Sequence, residues 1–385
     1  MSVDELTSVE LFAGCGGLLL GSSRAGFNHI AAVEWNHDSC ETLRYNQESG
    51  WGYFENMRII EGDIREADWG FIDKDIDLLS GGPPCQPFSL GGLARAASDT
   101  RDMFPAFIDV LSMLRPRAFV VENVKGLTRP AFSDYYRYIL YRLQYPLAKA
   151  FSDETWRDHL KRLERIRTNG ADDSLQYVVT PTVVDAADYG VPQHRHRIFI
   201  VGFRSDVKAE WSFPEPSHAK TSEFGKNAWL TVADAINGLP KPRKSDRRGA
   251  WPSCHALQKG AKPYPGHTGS ILAAPSKALK AGVHGVPGGE NMLHLPDESY
   301  RYMTIREAMR IQTFPDSYHI MGTWSEAMRQ IGNAVPVELA RRVCASVAIA
   351  LHEDALRKNA SELIDAEYCE LVAMANNTNF DLIEL

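Results

Sequence analysis

A cysteine stands in an unusual stretch, Gly81-Gly82-Pro83-Pro84-Cys85-Gln86-Pro87-Phe88-Ser89, directly after the apolar run 76–79. Nothing in it suits the interior of a strand or a helix. Glycine lets a ligand approach the backbone, and proline fixes φ and stiffens the residues after it. The stretch therefore reads as a rigid turn at a strand end, and the carboxyl ends of strands are where open α/β sheets keep their chemistry. A thiol displayed there can act as a nucleophile. A buried, inert cysteine is the commoner fate of the residue type, but it would need neither Pro-Pro before it nor Gln-Pro-Phe-Ser after it.

Glycines and acids recur at other strand ends. Phe12-Ala13-Gly14-Cys15-Gly16-Gly17 joins a short strand, 7–12, to a helix, 18–25. A strand, glycine turn and helix bring backbone N–H groups against a nucleotide-like ligand. The spacing is not that of the dinucleotide fingerprint, because Leu19 stands where its third glycine belongs. A strand at 30–33 ends in Glu34-Trp35, an acid for ribose hydroxyls and an indole to stack on a purine. A third, at 58–60, leads into Gly62-Asp63-Ile64. These three ends together describe an adenosine pocket.

Two further groups belong near Cys85. A buried strand at 117–121 ends in Glu122-Asn123-Val124, where Glu122 either faces the same cleft or serves as a helix cap or solvated strand end. Between strands at 177–184 and 198–203, alternation puts Gln193, Arg195 and Arg197 on one face. Two aligned guanidiniums can hold a carboxylate or phosphate, or they can protect an edge strand.

The elements that must position these groups alternate strand and helix, with helices also expected at 103–114 and 132–143. The fold expected is α/β. At 385 residues, 44% hydrophobic and 24% charged, the chain can bury a full core and make one large unit plus a smaller one. Its six cysteines form no C-x-x-C pair, which argues against zinc and disulfides and for a reducing compartment. No run is long enough to span a bilayer and no signal peptide is evident, so a cytoplasmic protein is expected. Residues 146–176 are charged, with Trp156, Leu160, Leu163 and Ile166 at amphipathic helical spacing. Residues 90–102 are rich in Gly, Ala and Ser, the composition of a mobile segment beside the cysteine.

From 204 to 302 the chain turns loop-rich and locally basic. Between Pro240 and Gly282, Lys241, Arg243, Lys244, Arg247, Arg248, Lys259, Lys262, Lys277 and Lys280 meet a single acid, Asp246, with Trp251, His255, Tyr264 and His267 interleaved. In a chain of net charge −7, such a local excess suits phosphate contact, the alternative being a solvated linker. Helices are then expected at 305–311, 325–331 and 337–352, and an acidic amphipathic tail follows residue 360.

Taken in order, these motifs resemble the DNA cytosine-5 methyltransferases that use S-adenosylmethionine. The resemblance spans most of the chain and includes Gln330-Ile331-Gly332-Asn333-Ala334-Val335-Pro336. It implies a Rossmann-like sheet with helices on both faces in residues 1–203, a target recognition domain at 204–303, and a return to the catalytic domain at 304–385. It implies Cys85 as nucleophile, Glu122 as acid, and Arg197, then Arg195, to orient the acid and bind the base. Cofactor contacts fall on Phe12, Gly14, Gly16, Gly17, Glu34, Trp35, Asp63, Ile64, Pro83, Asn333 and Val335. DNA contacts fall on Gln86, Ser89, Arg101, Lys244, Arg247, Arg248 and Lys259.

The partners implied are S-adenosylmethionine, leaving as S-adenosylhomocysteine, and double-stranded DNA with its target cytosine flipped out. No metal is required. A bacterial monomer is expected, alongside a restriction endonuclease that acts independently. Two features depart from the pattern: the 146–176 segment looks inserted, and Ala278-Leu279 stands where many members carry Thr-Leu or Thr-Ile. An RNA cytosine methyltransferase would share the catalytic motifs but needs a smaller recognition region. A nicotinamide oxidoreductase would leave Cys85, Glu122 and Asn333 idle, and a DNA-binding module would need only the basic region.

Overall fold

A computed structural model describes residues 5–50, 54–84, 102–169, 175–222, 225–245, 252–281 and 291–377, with backbone alone over 361–377. A seven-stranded sheet organises the chain. Its strands are β1 (Leu6–Leu11), β2 (Phe27–Glu34), β3 (Arg58–Glu61), β4 (Leu78–Gly81), β5 (Ala118–Val124), β6 (Tyr177–Asp185) and β7 (His196–Arg204), in the order β3-β2-β1-β4-β5-β7-β6. The first five pair in parallel, and β7 runs antiparallel between β5 and β6. The carboxyl ends of β1, β2, β4 and β5 and the start of β7 therefore share one edge.

The central strands are near-continuously apolar because both faces are covered, as parallel sheets require. On one face Leu11, Leu79, Phe119, Val121 and Ile200 pack with α3 (Phe104–Leu114) and α4 (Ser133–Gln144). On the other, Leu78, Val120, Phe199 and Val201 pack with α1 (Gly17–Arg24) and the long helix Val337–Asn377. Gly21 permits that crossing, since a Cβ there would lie 2.3 Å from the Ala340 Cβ.

Several elements differ from the sequence-based expectation. A helix α2 (His37–Glu48) follows β2, started by the Asn36 side chain, which accepts from Ser39 N–H. It was hard to foresee because polar Ser39, Thr42 and Asn46 are among its buried residues. Strand β5 runs on through Val124, so Glu122 lies inside the strand. The last long helix reaches Asn377, well past the expected end at 352. The charged segment does hold a helix, α5 (Trp156–Asn169).

The second region carries only short pieces: β8 (His218–Ala219), β9 (Asn227–Ala228), α6 (Val232–Ile236), β10 (Ser270–Ile271), β11 (Met292–His294) and β12 (Tyr300–Tyr302). Helices α7 (Ile305–Ile311), α8 (Trp324–Asn333) and α9 (Val337–Asn377) then return to the sheet. Buried polar side chains make the seam. Arg306 donates to the Ser253 and Tyr318 carbonyls, and the buried His255 ring bridges the Thr304 hydroxyl and the Pro240 carbonyl. Among the described residues no helix is long and apolar enough to cross a membrane.

Candidate active site

At the edge where the strands end, the Gly-Gly-Pro-Pro turn leaves β4 against Glu122. A Cβ on Gly81 would sit 2.6 Å from the Leu11 carbonyl oxygen, and one on Gly82 would sit 3.4 Å from Glu122 Oε2. A side chain at position 81 would thus push the turn off the end of β1, whereas Gly82 lies within ordinary contact distance of the acid. Asn123 adds a tie that the sequence left unassigned: its Nδ2 donates to the Pro83 carbonyl at 3.0 Å, while its Oδ1 accepts from Val124 N–H. The amide follows an acid in a strand, and that was its only visible signal. Cys85, Gln86, Ser89 and Arg101 lie outside the described residues.

Glu122 is 7% exposed, and Arg197 Nε lies 2.7 Å from its Oε1. The two meet because β5 and β7 are antiparallel neighbours, with Glu122 paired to Phe199 and Val124 to Arg197. The N–H is not aligned on the oxygen, so Oε1 has a close cation but no hydrogen bond of good geometry. Such a carboxyl is held in place while its acceptor or donor capacity is left for another group.

Arg195 is placed elsewhere, which corrects the one-face expectation. It is 1% exposed and donates to the carbonyls of Leu279, Gly332 and Ala334 at 2.8–3.0 Å. Gln193 joins it, accepting from Leu279 N–H and donating to Gln312 Oε1. Alternation does align the two, but they face the recognition and return segments instead of the acid. Backbone carbonyls there carry no side-chain signal, so sequence alone held no sign of this partner.

The glycine turn divides similarly. Phe12, Gly14 and Gly16 have φ of 56, 54 and 84°, left-handed values that cost a non-glycine residue such as Phe12 roughly 1–2 kcal/mol. A Cβ on Gly14 would meet nothing within 4 Å, so this glycine borders open space. Gly16 and Gly17 do not. A Cβ on Gly16 would strike the Tyr318 hydroxyl at 2.8 Å, and one on Gly17 the Val335 carbonyl at 2.3 Å. Both serve close packing of the return segment, and Tyr318 also donates to the Cys15 carbonyl.

Glu34 closes the turn from the side, accepting from Gly14 N–H through Oε2 and from Asn36 N–H through Oε1. Burial raises its pKa, opposed by those two N–H donors. Beside it Trp35 is 77% exposed, leaving an indole face free to stack. Asp63 is engaged within its own turn, accepting from Arg65 N–H and pairing with the Arg65 guanidinium, which pulls its carboxyl down to about 2. Ile64 is buried, Asn333 is exposed at the end of α8, and Val335 is buried against Gly17.

Three other thiols are unsuited to attack. Burial pushes Cys15 and Cys40 up to about 12 and Cys344 higher still, so all three stay protonated. In the basic region Lys244 and Lys259 are exposed, whereas Arg247 and Arg248 lie outside the described residues.

Comparison with known proteins points to one family. The model of the C-5 cytosine-specific DNA methylase family matches residues 6–145, 167–268 and 268–348, passing over most of the segment that holds α5. The chain is 31% identical over 354 residues to the Type II methyltransferase M.AplI of Arthrospira platensis, covering 90% of this chain and 87% of that one. It is 30% identical over 361 residues to M.NgoFVII of Neisseria gonorrhoeae, covering 87% and 85%. Among solved structures, a candidate DNA modification methyltransferase encoded within an E. coli prophage shares the fold at a TM-score of 0.63 and 23% identity, over 90% of this chain and 99% of that one. The S. pombe Dnmt2 methyltransferase does so at 0.57 and 18%, over 92% and 99%. The chain belongs to the C-5 cytosine-specific DNA methylase family and is a DNA cytosine-5 methyltransferase.

Proposed function

We propose that the protein methylates carbon 5 of a flipped-out cytosine in duplex DNA, through a covalent bond between Cys85 and carbon 6 of the ring. The observation that carries this reading is the Glu122–Arg197 pair, 2.7 Å apart and next to the turn that leads into Cys85. Carbon 5 of cytosine is a poor nucleophile until a thiolate adds at carbon 6. Addition drives electrons toward N3. Glu122 donates a proton or strong hydrogen bond there, and Arg197 holds Glu122 and binds the base carbonyl oxygen. The activated carbon 5 takes the methyl group; its ring proton then passes to solvent, the electrons it leaves expel Cys85 as a thiolate, and N3 returns its proton to Glu122 as the ring regains aromaticity.

S-adenosylmethionine supplies that methyl from its sulfonium and leaves as S-adenosylhomocysteine. The residues fit such a group: open space at Gly14, the Glu34 carboxylate and the exposed Trp35 indole stand together at the ends of β1 and β2. Phe12, Asp63, Ile64, Pro83 and the return segment at Asn333 and Val335 complete the pocket in this reading. Gly16 and Gly17 support it from behind. A base inside a duplex cannot reach Cys85, so the nucleotide turns out of the stack at a cost of a few kcal/mol. In this reading Lys244, Arg247, Arg248 and Lys259 of the basic stretch, together with Gln86, Ser89 and Arg101 of the stretch that follows the Gly-Gly-Pro-Pro turn, hold the DNA, and the region 204–303 selects the site.

We infer a bacterial modification enzyme that works in the cytoplasm, as a monomer, beside a separately acting restriction endonuclease. The test is transfer of a labelled methyl group to mixed-sequence duplex DNA or to tRNA. Label recovered as 5-methylcytosine in DNA is expected. Label in tRNA alone overturns the reading.

A further inference from the structure

Asp102 is the first described residue after the stretch 85–101 that carries Cys85, and its carboxylate is held on both sides. Oδ1 accepts from Phe104 N–H at 3.1 Å, where α3 begins. Oδ2 accepts from the Tyr135 hydroxyl on α4. Tyr135 is buried, and burial above all, then the Asp102 charge, keeps its phenol protonated, so it stays the donor.

Behind Tyr135 stands the segment the family model passes over. Trp156, at the start of α5, packs edge-on to Tyr135 at 5.3 Å between ring centroids and against Tyr138 at 5.9 Å. His159, one turn along, is fully buried, and its Nδ1 lies 3.0 Å from the Tyr138 hydroxyl. Burial lowers that imidazole to about 4, so it remains neutral and adds no charge to the cluster. Leu160 and Leu163 complete the apolar face of α5 against the same core.

We propose that Tyr135 is a positioning residue for methyl transfer: by donating to Asp102 it fixes the far end of the Cys85 stretch, and α5 braces it through Trp156. The near end is fixed by Asn123 on Pro83, so the described residues on either side of the Cys85 stretch are held by β5 on one side and by α3 and α4 on the other. The inference rests on the assignment of Cys85 as nucleophile. It also gives the 146–169 segment a role in the reaction without contact to substrate.

The test is the single-turnover rate at which the protein forms a covalent adduct with duplex DNA containing 5-fluorocytosine, measured beside methyl-donor affinity and melting temperature. Tyr135→Phe and Asp102→Ala are expected to slow adduct formation by roughly tenfold or more while donor affinity stays within about twofold, since small displacements of a reacting group cost rate steeply. Asp102→Asn keeps an oxygen for Phe104 N–H and an amide for the Tyr135 oxygen, and is expected to retain the wild-type rate. Adduct formation by Tyr135→Phe at the wild-type rate, whatever its melting temperature, overturns the inference. So does a parallel loss of rate and donor affinity. Failure of the wild-type protein to form any adduct overturns the Cys85 assignment, and this inference with it.

Discussion

The Asn123 side-chain amide reaches across from β5 to donate to the Pro83 carbonyl at 3.0 Å, within the protein interior. The acid and the nucleophile turn are therefore joined by a residue that belongs to neither chemistry. Its neighbour Glu122 faces Arg197, while Asn123 points to the opposite side of the strand and holds the turn in register.

Replacing Asn123 by Ala is expected to lower kcat by on the order of 10²-fold, because a misplacement near 1 Å has that cost. The orphaned carbonyl also removes about 1–3 kcal/mol of stability. Methyl-donor affinity should change little. Steady-state kinetics beside donor titration checks this, and an unchanged kcat would show that the turn holds its place alone.

The two arginines two residues apart should behave differently. Arg197→Lys keeps the charge but loses the planar fork at Glu122, and a large fall in kcat with near-normal folding is expected. Arg195→Ala strips donors from three buried carbonyls, which costs roughly 3 kcal/mol or more in stability. Urea unfolding and turnover measured together separate them. If Arg195→Ala folds normally and only loses kcat, its assignment to the seam is wrong.

The glycines of the first turn should split in the same way. Gly17→Ala drives a methyl into the Val335 carbonyl and is expected to destabilise the fold. Gly14→Ala meets open space but sits at φ 54°, so it should cost only about 1–2 kcal/mol. Its main effect is expected on methyl-donor affinity, read by titration calorimetry on both variants.

Stability should depend on the buried Glu10, whose only side-chain partner among the described residues is the Ser80 hydroxyl, which donates to Oε2 at 3.0 Å. Desolvation raises its pKa to about 8, against some relief from the Ser80 and Leu19 hydrogen bonds. A folded-state pKa above the unfolded value means stability that is fully present below pH 4.5 and lost as pH rises through about 8. The slope reaches about 1.4 kcal/mol per pH unit. Glu10→Gln should flatten that part of the curve, so urea midpoints for both proteins from acid to mildly alkaline pH provide the check. Parallel curves would mean that Glu10 is ionised throughout.

The sheet was legible because strands buried on both faces read as apolar runs, and the acids and glycines mark their ends. The pairing of Glu122 with Arg197 came from the family resemblance, which named Arg197 first and Arg195 second; the residues alone offered the arginines a carboxylate or a phosphate without saying which. What escaped was fixed by backbone partners far along the chain: Arg195 on the 332 and 334 carbonyls, Gly17 under Val335, and Asn123 on Pro83. Composition encodes no such contact. Helix α2 escaped for another reason, because it buries polar side chains such as Thr42 against Gln330, and no apolar stripe announces it.

The central claim is that Cys85 attacks carbon 6 of a cytosine in DNA. Mixing the protein with S-adenosylmethionine and duplex DNA in which 5-fluorocytosine replaces cytosine tests it directly, because fluorine at carbon 5 blocks the final elimination. The account predicts a denaturation-resistant complex that carries the transferred methyl and maps to Cys85. Methyl transfer to ordinary duplex DNA without any such complex, or a complex mapped to another residue, would contradict it.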